Sequence, residues 1–275
     1  MTIKIKPQEN KKGAYIDCDI KSLPKKEMQS IKNALEEFGV LFFRDQDLDP
    51  KSYIEFAKNF GPLADYPMLK GLDGFPEITV VERKKTDKGP NFGGAVGKEV
   101  HSGFHTDSSY TKNPPRFTML LAKVVPPRGQ GNTEFSSQYM AYDKLPDEYK
   151  KKLENINGVF SSLGSISASR VEREKENSKD NKKKEIKSVH PIIRKINGKK
   201  TIYCSPGHLI KLENIDEKEA KNLQDFLFNH QVNNFFRFSF EWEPKSLALW
   251  DNRSILHRAG SVSGVDRILH RITIH

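Results

Sequence analysis

Apolar residues recur at helical spacing in several stretches of the chain. Met28, Ile31, Ala34, Leu35 and Phe38 share one face of a helix that Leu23-Pro24-Lys25 opens and Gly39 ends. Tyr53, Phe56, Ala57 and Phe60 form a second stripe, behind Asp49 as N-cap and Pro50 at the first helical position, and Gly61-Pro62 stops it. Helical spacing returns around Tyr142, Leu145, Tyr149, Leu153 and Ile156. It returns again over Glu217–His230, where Ala220, Leu223, Phe226 and Leu227 are the apolar side.

Between these stretches the pattern is that of strands. Residues 2–6 alternate as an edge strand, and Val40–Phe43 reads as a buried one. Ile78–Val81, Arg116–Val125, the segment from Thr133, Phe235–Phe240 and Leu247–Trp250 follow. Val189–Arg194 and Lys200–Cys204 predict a hairpin turning at Asn197-Gly198. Asp266–Ile274 alternates, with Ile268, His270, Ile272 and Ile274 on one face and Arg267, Leu269, Arg271 and Thr273 on the other. Many short strands with a few helices predict a single mixed-β domain over 1–275: a double-stranded β-helix (jelly roll, cupin-like) with helical insertions. No internal repeat interrupts that reading.

One stretch carries candidate chemistry. In Gly103-Phe104-His105-Thr106-Asp107, a strand would aim His105 and Asp107 at the same point, because residues two apart share a face. His257, from a distant strand, can complete a set of two imidazoles and one carboxylate. Such a set on one face of a metal leaves the opposite face open, the arrangement of non-haem Fe(II) oxygenases. A lone H-x-D is common in a chain with 8 His, so the surroundings decide. The turn Gly260–Gly264 lets the last strand fold back beside the one carrying His257, bringing Arg267 and Arg271 near the metal. Arginine suits carboxylate or sulfonate recognition. An ordinary amphipathic strand with its arginines in water is the alternative reading.

Composition narrows the classes. The formal charge is +10, which invites a nucleic-acid reading. Between Arg170 and Lys200, however, 12 Lys/Arg face 5 Asp/Glu, so one segment supplies most of the excess. Residues 165–188 read as a charged, mobile lid or insertion rather than a nucleic-acid surface. The 2 Cys make no disulfide framework, and neither a signal peptide nor a membrane helix is visible. The expectation is a cytoplasmic protein with a small-molecule partner and neither nucleic acid nor membrane.

The motifs, in order, resemble a known family. Phe38-Gly39-Val40-Leu41-Phe42-Phe43-Arg44-Asp45-Gln46, Phe60-Gly61-Pro62-Leu63, His105-Thr106-Asp107, Pro114-Pro115, Gly131-Asn132-Thr133, His190-Pro191, Trp250-Asp251-Asn252-Arg253 and His257 through Arg271 resemble the taurine dioxygenase/TfdA-type Fe(II)- and 2-oxoglutarate-dependent dioxygenases. The resemblance spans about residues 35–274. It implies Fe(II) on His105, Asp107 and His257, with 2-oxoglutarate and O2 as co-substrates. Its distal carboxylate would meet Thr133 and Arg267. A C–H bond of a small anionic substrate (sulfonate, sulfate ester, carboxylate or phosphonate) would be hydroxylated, releasing succinate and CO2. Arg271 would hold the substrate anion, and His101, Phe104 and His208 are further candidate substrate contacts. Pro206-Gly207-His208 departs from the taurine branch, which has Phe after that Gly, and so does Gly94–Gly103. The resemblance also implies a homodimer or tetramer. Two readings from other classes stay open: a Zn or Mn hydrolase or isomerase on the same ligands, and a jelly-roll binding protein without catalysis.

Overall fold

The computed structural model describes residues 3–64, 71–169 and 185–275. Its first strands are β1 (Lys4–Pro7), β2 (Ala14–Asp17), β3 (Val40–Phe43), β4 (Leu63–Ala64), β5 (Gly71–Leu72), β6 (Phe75–Arg83), β7 (Phe117–Val124) and β8 (Thr133–Ser137). They are followed by β9 (Asn157–Ser161), β10 (Lys187–Pro191), β11 (Ile193–Ile196), β12 (Lys199–Ile202), β13 (Leu209–Glu213), β14 (Arg237–Phe240), β15 (Leu247–Asp251), β16 (Ile255–Ala259) and β17 (Arg267–Ile274). The helices are α1 (Met28–Phe38), α2 (Pro50–Lys58), α3 (Gln138–Asp143), α4 (Asp147–Leu153) and α5 (Glu217–His230).

The strands form a jelly roll. A large sheet runs β1-β2-β3-β15-β7-β17-β6-β5, with β4 added on β17, and faces the smaller sheet β14-β8-β16. Each central strand of the large sheet is buried on both faces. Val40, Phe42, Leu120, Ala248, Trp250 and Leu269 point between the sheets, where they meet Phe135 and Phe240. Leu41, Phe43, Met119, Leu249 and Ile272 point outward and are covered by α1 and α2 through Ile31, Leu35, Tyr53 and Phe56. This is why Val40–Phe43 is apolar without alternation. Phe42 stacks on Phe240 with ring centroids 4.2 Å apart, joining the two sheets.

The helices begin and end where their caps predict. Asp49 accepts a hydrogen bond from Ser52 N at 2.9 Å at the start of α2. Gly39, at φ +74°, closes α1 by donating its N–H to Leu35 O.

Several expectations are corrected. Asn197 and Gly198 do form the turn, at φ +48° and +83°, but the hairpin joins only β11 to β12. The chain bends at Ile192, and β10 pairs instead with β9. The helical pattern from Tyr142 to Ile156 is two helices, because Pro146 cannot continue the first. On α5 Phe228 is buried where Phe226 was expected, and Phe226 instead stacks on Tyr149 at 4.1 Å. The last strand does not lie beside β16. It crosses to the large sheet, between β7 and β6, and faces β16 across the interior. The insertion expected at 165–188 falls mostly on 170–184, outside the described residues. No described helix is long and apolar enough to cross a membrane.

Candidate metal and co-substrate site

The centre begins with a single backbone pair. His105 N donates to His257 O and His257 N donates to His105 O, both at 2.9 Å. In such an antiparallel pair the two side chains leave the backbone on the same side. The imidazole centroids are consequently 4.2 Å apart. His105 is therefore not on a regular strand, as its spacing to Asp107 suggested; it makes an isolated bridge, and Asp107 follows in a turn. The turn still converges. One ligand atom each from His105, Asp107 and His257 lie within 4.8 Å of one another, and all three residues are buried.

The protonation states suit a metal. Gly103 O lies 2.8 Å from His105 Nδ1 and can only accept, so Nδ1 carries the proton. The lone pair of Nε2 then faces Asp107 Oδ1, 3.9 Å away. Burial alone would raise the Asp107 pKa; Arg271, His257, His105 and the Thr118 hydroxyl outweigh it and hold the carboxyl below the usual carboxylate range. Burial and the neighbouring His105 push His257 well below an ordinary histidine, so its ring is neutral. Two neutral nitrogens and one anion within ligand reach fit a divalent transition metal with open positions opposite.

Around this centre the two sheets present different groups. On the large sheet, Arg267 and Arg271 point inward with Leu269 and are 5% exposed each. Arg271 Nη1 sits 3.5 Å from Asp107 Oδ1. A side chain in place of Gly131 would meet Arg267 Cδ at 3.1 Å, which places Arg267 against the turn that leads into Thr133. On the small sheet, His257 lies opposite Phe135, and Ala259 opposite Thr133, so Thr133 shares the inner face with His257. Thr133 Oγ1 accepts from Trp242 Nε1 at 3.0 Å. That acceptance leaves the hydroxyl proton to donate toward the interior.

The substrate candidates divide. His208 is buried and lines a small cavity with His105, Asp107, Tyr110, Ile166 and Arg271. Its Nδ1 is 3.0 Å from Ser109 Oγ, and its ring lies 6.0 Å from that of His105. Phe104 is not in this cavity. As the neighbour of His105 it points to the opposite side, packing on Val232 and Leu256 under the Arg258 guanidinium, 4.5 Å from its ring. His101 lies against Phe228, 5.1 Å between centroids, on the same scaffold side.

Phe92, Gly93 and Tyr110 also line this cavity, and none of them is individually marked as a site residue by the sequence. Gly93 O accepts from Ala259 N at 2.8 Å, which pins its loop beside β16, and a Cβ there would come within 3.1 Å of His105 Cε1. The Asn91-Phe92-Gly93-Gly94 cluster was the available signal. Nothing in its spacing said that it returned to the histidine.

The sequence profile described as "Taurine catabolism dioxygenase TauD, TfdA family" matches residues 4–273. The chain is 29% identical, over 88% of its length and 86% of the relative's, to an alpha-ketoglutarate-dependent 2,4-dichlorophenoxyacetate dioxygenase of Cupriavidus pinatubonensis. It is 25% identical, over 90% of its length and 80% of the relative's, to an alpha-ketoglutarate-dependent sulfate ester dioxygenase of Pseudomonas putida. A crystal structure of a taurine dioxygenase from Burkholderia xenovorans superposes with a TM-score of 0.83 at 26% identity, covering 100% of this chain and 89% of that one.

Proposed function

This chain belongs to the TauD/TfdA family of 2-oxoglutarate-dependent dioxygenases, and from that premise we propose that it uses Fe(II) to hydroxylate a C–H bond of a small anionic molecule. The observation that carries the reading is a pair of buried arginines on one strand facing a His-Asp-His cluster across the interior. Arginine is the side chain suited to two-pronged recognition of a carboxylate or sulfonate. An enzyme that binds both a dicarboxylate and an anionic substrate has a use for two arginines. A hydrolase working through the same metal ligands has no such need.

The roles follow from position. His105, Asp107 and His257 hold the metal through two neutral nitrogens and one carboxylate oxygen. Iron with 2-oxoglutarate and O2 supplies the oxidising chemistry, yielding succinate, CO2 and a hydroxylated substrate. Arg267 and the Thr133 hydroxyl receive the distal carboxylate of 2-oxoglutarate, the guanidinium supplying charge and the hydroxyl a directed proton. Arg271, beside Asp107 on the cavity wall, neutralises the substrate anion. The sheets exclude water from the reacting atoms. The named relatives act on an aryloxy carboxylate, a sulfate ester and taurine, and an anion is common to the three. The chain is read as cytoplasmic from its amino-acid sequence, and as a homodimer or tetramer on the family resemblance.

His208 selects among such anions. It stands on the cavity wall held by Ser109, where it offers a ring nitrogen to an oxyanion. The test is an O2-dependent screen of sulfonates, sulfate esters, phosphonates and carboxylates, read as succinate release. The preferred substrate gives release above the substrate-free rate. His208→Phe then raises the KM for that substrate about tenfold or more, as expected when a charged or polar contact worth ~1.5 kcal/mol is lost. Release without O2 would contradict the function, and an unchanged KM for every substrate would remove His208 from the site.

A further inference from the structure

Behind Asp107, on the inner face of the large sheet, lies a chain of hydrogen bonds with a fixed direction. Trp250 Nε1 donates to Asn252 Oδ1 at 3.0 Å. Asn252 Nδ2 donates to Thr118 Oγ1 at 2.8 Å. Thr118 Oγ1 donates to Asp107 Oδ2 at 2.6 Å. All three residues are buried, at 0%, 2% and 0% exposure for Trp250, Asn252 and Thr118, so water cannot substitute for any link. The backbone builds the array: Trp250 and Thr118 are directly opposite on β15 and β7, and Asn252 N donates to Arg116 O just beyond them.

The direction follows from what each group can do. An indole N–H only donates, so the amide oxygen of Asn252 must face it. The amide nitrogen is thereby turned toward Thr118 and donates. Thr118 accepts that bond, and its own proton is left for Asp107 Oδ2. The other carboxylate oxygen, Oδ1, faces His105 and Arg271.

We propose that Trp250, Asn252 and Thr118 form a positioning relay that engages Asp107 Oδ2 and presents Oδ1 alone to the metal. The relay rests on the metal-site reading given above. Outer hydrogen bonds to ligating carboxylates tune metal affinity by about 10–100-fold. Trp250 also lies over His257, with ring centroids 4.6 Å apart, so one side chain braces two of the three ligands.

Anaerobic titration of the metal-free full chain with Co(II), followed in the visible, tests this. Thr118→Val removes the last donor while keeping the shape. Asn252→Asp keeps the volume but accepts from both Trp250 and Thr118, so the Thr118 proton turns away from Asp107. Both weaken Co(II) binding by about 10–100-fold and lower the intensity of its visible bands, as a second carboxylate oxygen joins the metal. Thr118→Ser, which keeps the hydroxyl, binds within about threefold of wild type, well short of the ~10-fold loss of an outer partner. If Thr118→Val does not fold, Asn252→Asp carries the same expectation. Unchanged affinity and spectrum in the folded variants would overturn the relay and leave the metal site standing. A wild-type protein that bound cobalt no better than His105→Ala would overturn both.

Discussion

Asp107→Ala abolishes 2-oxoglutarate turnover. The substitution removes the only anion among the three candidate ligands and leaves two neutral imidazoles as donors. It also strips Arg271 of the carboxylate oxygen 3.5 Å from its Nη1, and Thr118 of the acceptor at 2.6 Å. Outer-shell changes alone cost metal sites ~10–100-fold, so loss of a charged ligand exceeds that range. Succinate release falls below detection and added Fe(II) does not restore it. Asp107→Asn, which keeps the shape and one oxygen, shows the same loss; this separates missing charge from a missing side chain. Thermal unfolding of the metal-free proteins distinguishes a dead site from a collapsed one. Wild-type turnover in either folded variant would mean that the carboxylate is not a ligand.

Arg267→Ala raises the KM for 2-oxoglutarate far more than it lowers kcat. Arg267 is buried between the sheets beside the Gly131 turn, on the strand that faces the ligands. Removing one partner of a buried charge pair costs ~2–5 kcal/mol, a KM increase of about 30-fold to several thousand-fold. Arg267→Lys recovers part of this, because an ammonium supplies the charge without the two-pronged fit of a guanidinium. Thr133→Val, lacking only the hydroxyl, gives a smaller increase of about tenfold. Direct binding of 2-oxoglutarate to the metal-loaded, oxygen-free enzyme reports the same change without turnover. An unchanged KM and unchanged binding would move the role to Arg271.

The parts of the site carried by periodic or strongly typed residues were readable before the structure. The inward face of β17 was, because alternation alone sets Arg267, Leu269 and Arg271 apart from Ile268, Ile272 and Ile274. The double burial of Val40–Phe43 was, because an uninterrupted apolar run needs cover on both sides. What failed was long-range placement. Nothing local says that β17 crosses to the opposite sheet instead of pairing with β16. Period two places His105 and Asp107 on a strand; the chain reaches the same convergence through one bridge and a turn. That same period two, taken one residue further, would have sent Phe104 away from the site. The Thr118–Asn252–Trp250 chain was out of reach, because it depends on cross-strand register between β7 and β15. The Asn91–Gly94 loop was out of reach for a similar reason: glycine-rich spacing tells of a turn and not of its neighbour.

The central claim is that one metal on His105, Asp107 and His257 binds 2-oxoglutarate beside Arg267. Its most direct test is an anaerobic titration of the metal-free protein with Fe(II) and then 2-oxoglutarate, watched in the visible. A 2-oxoacid chelated to Fe(II) gives a weak metal-to-ligand charge-transfer band. The account predicts that the band appears in the wild type, needs higher 2-oxoglutarate in Arg267→Ala, and is absent from His257→Ala. Iron binding with no band on adding 2-oxoglutarate, or an undiminished band in His257→Ala, would contradict it.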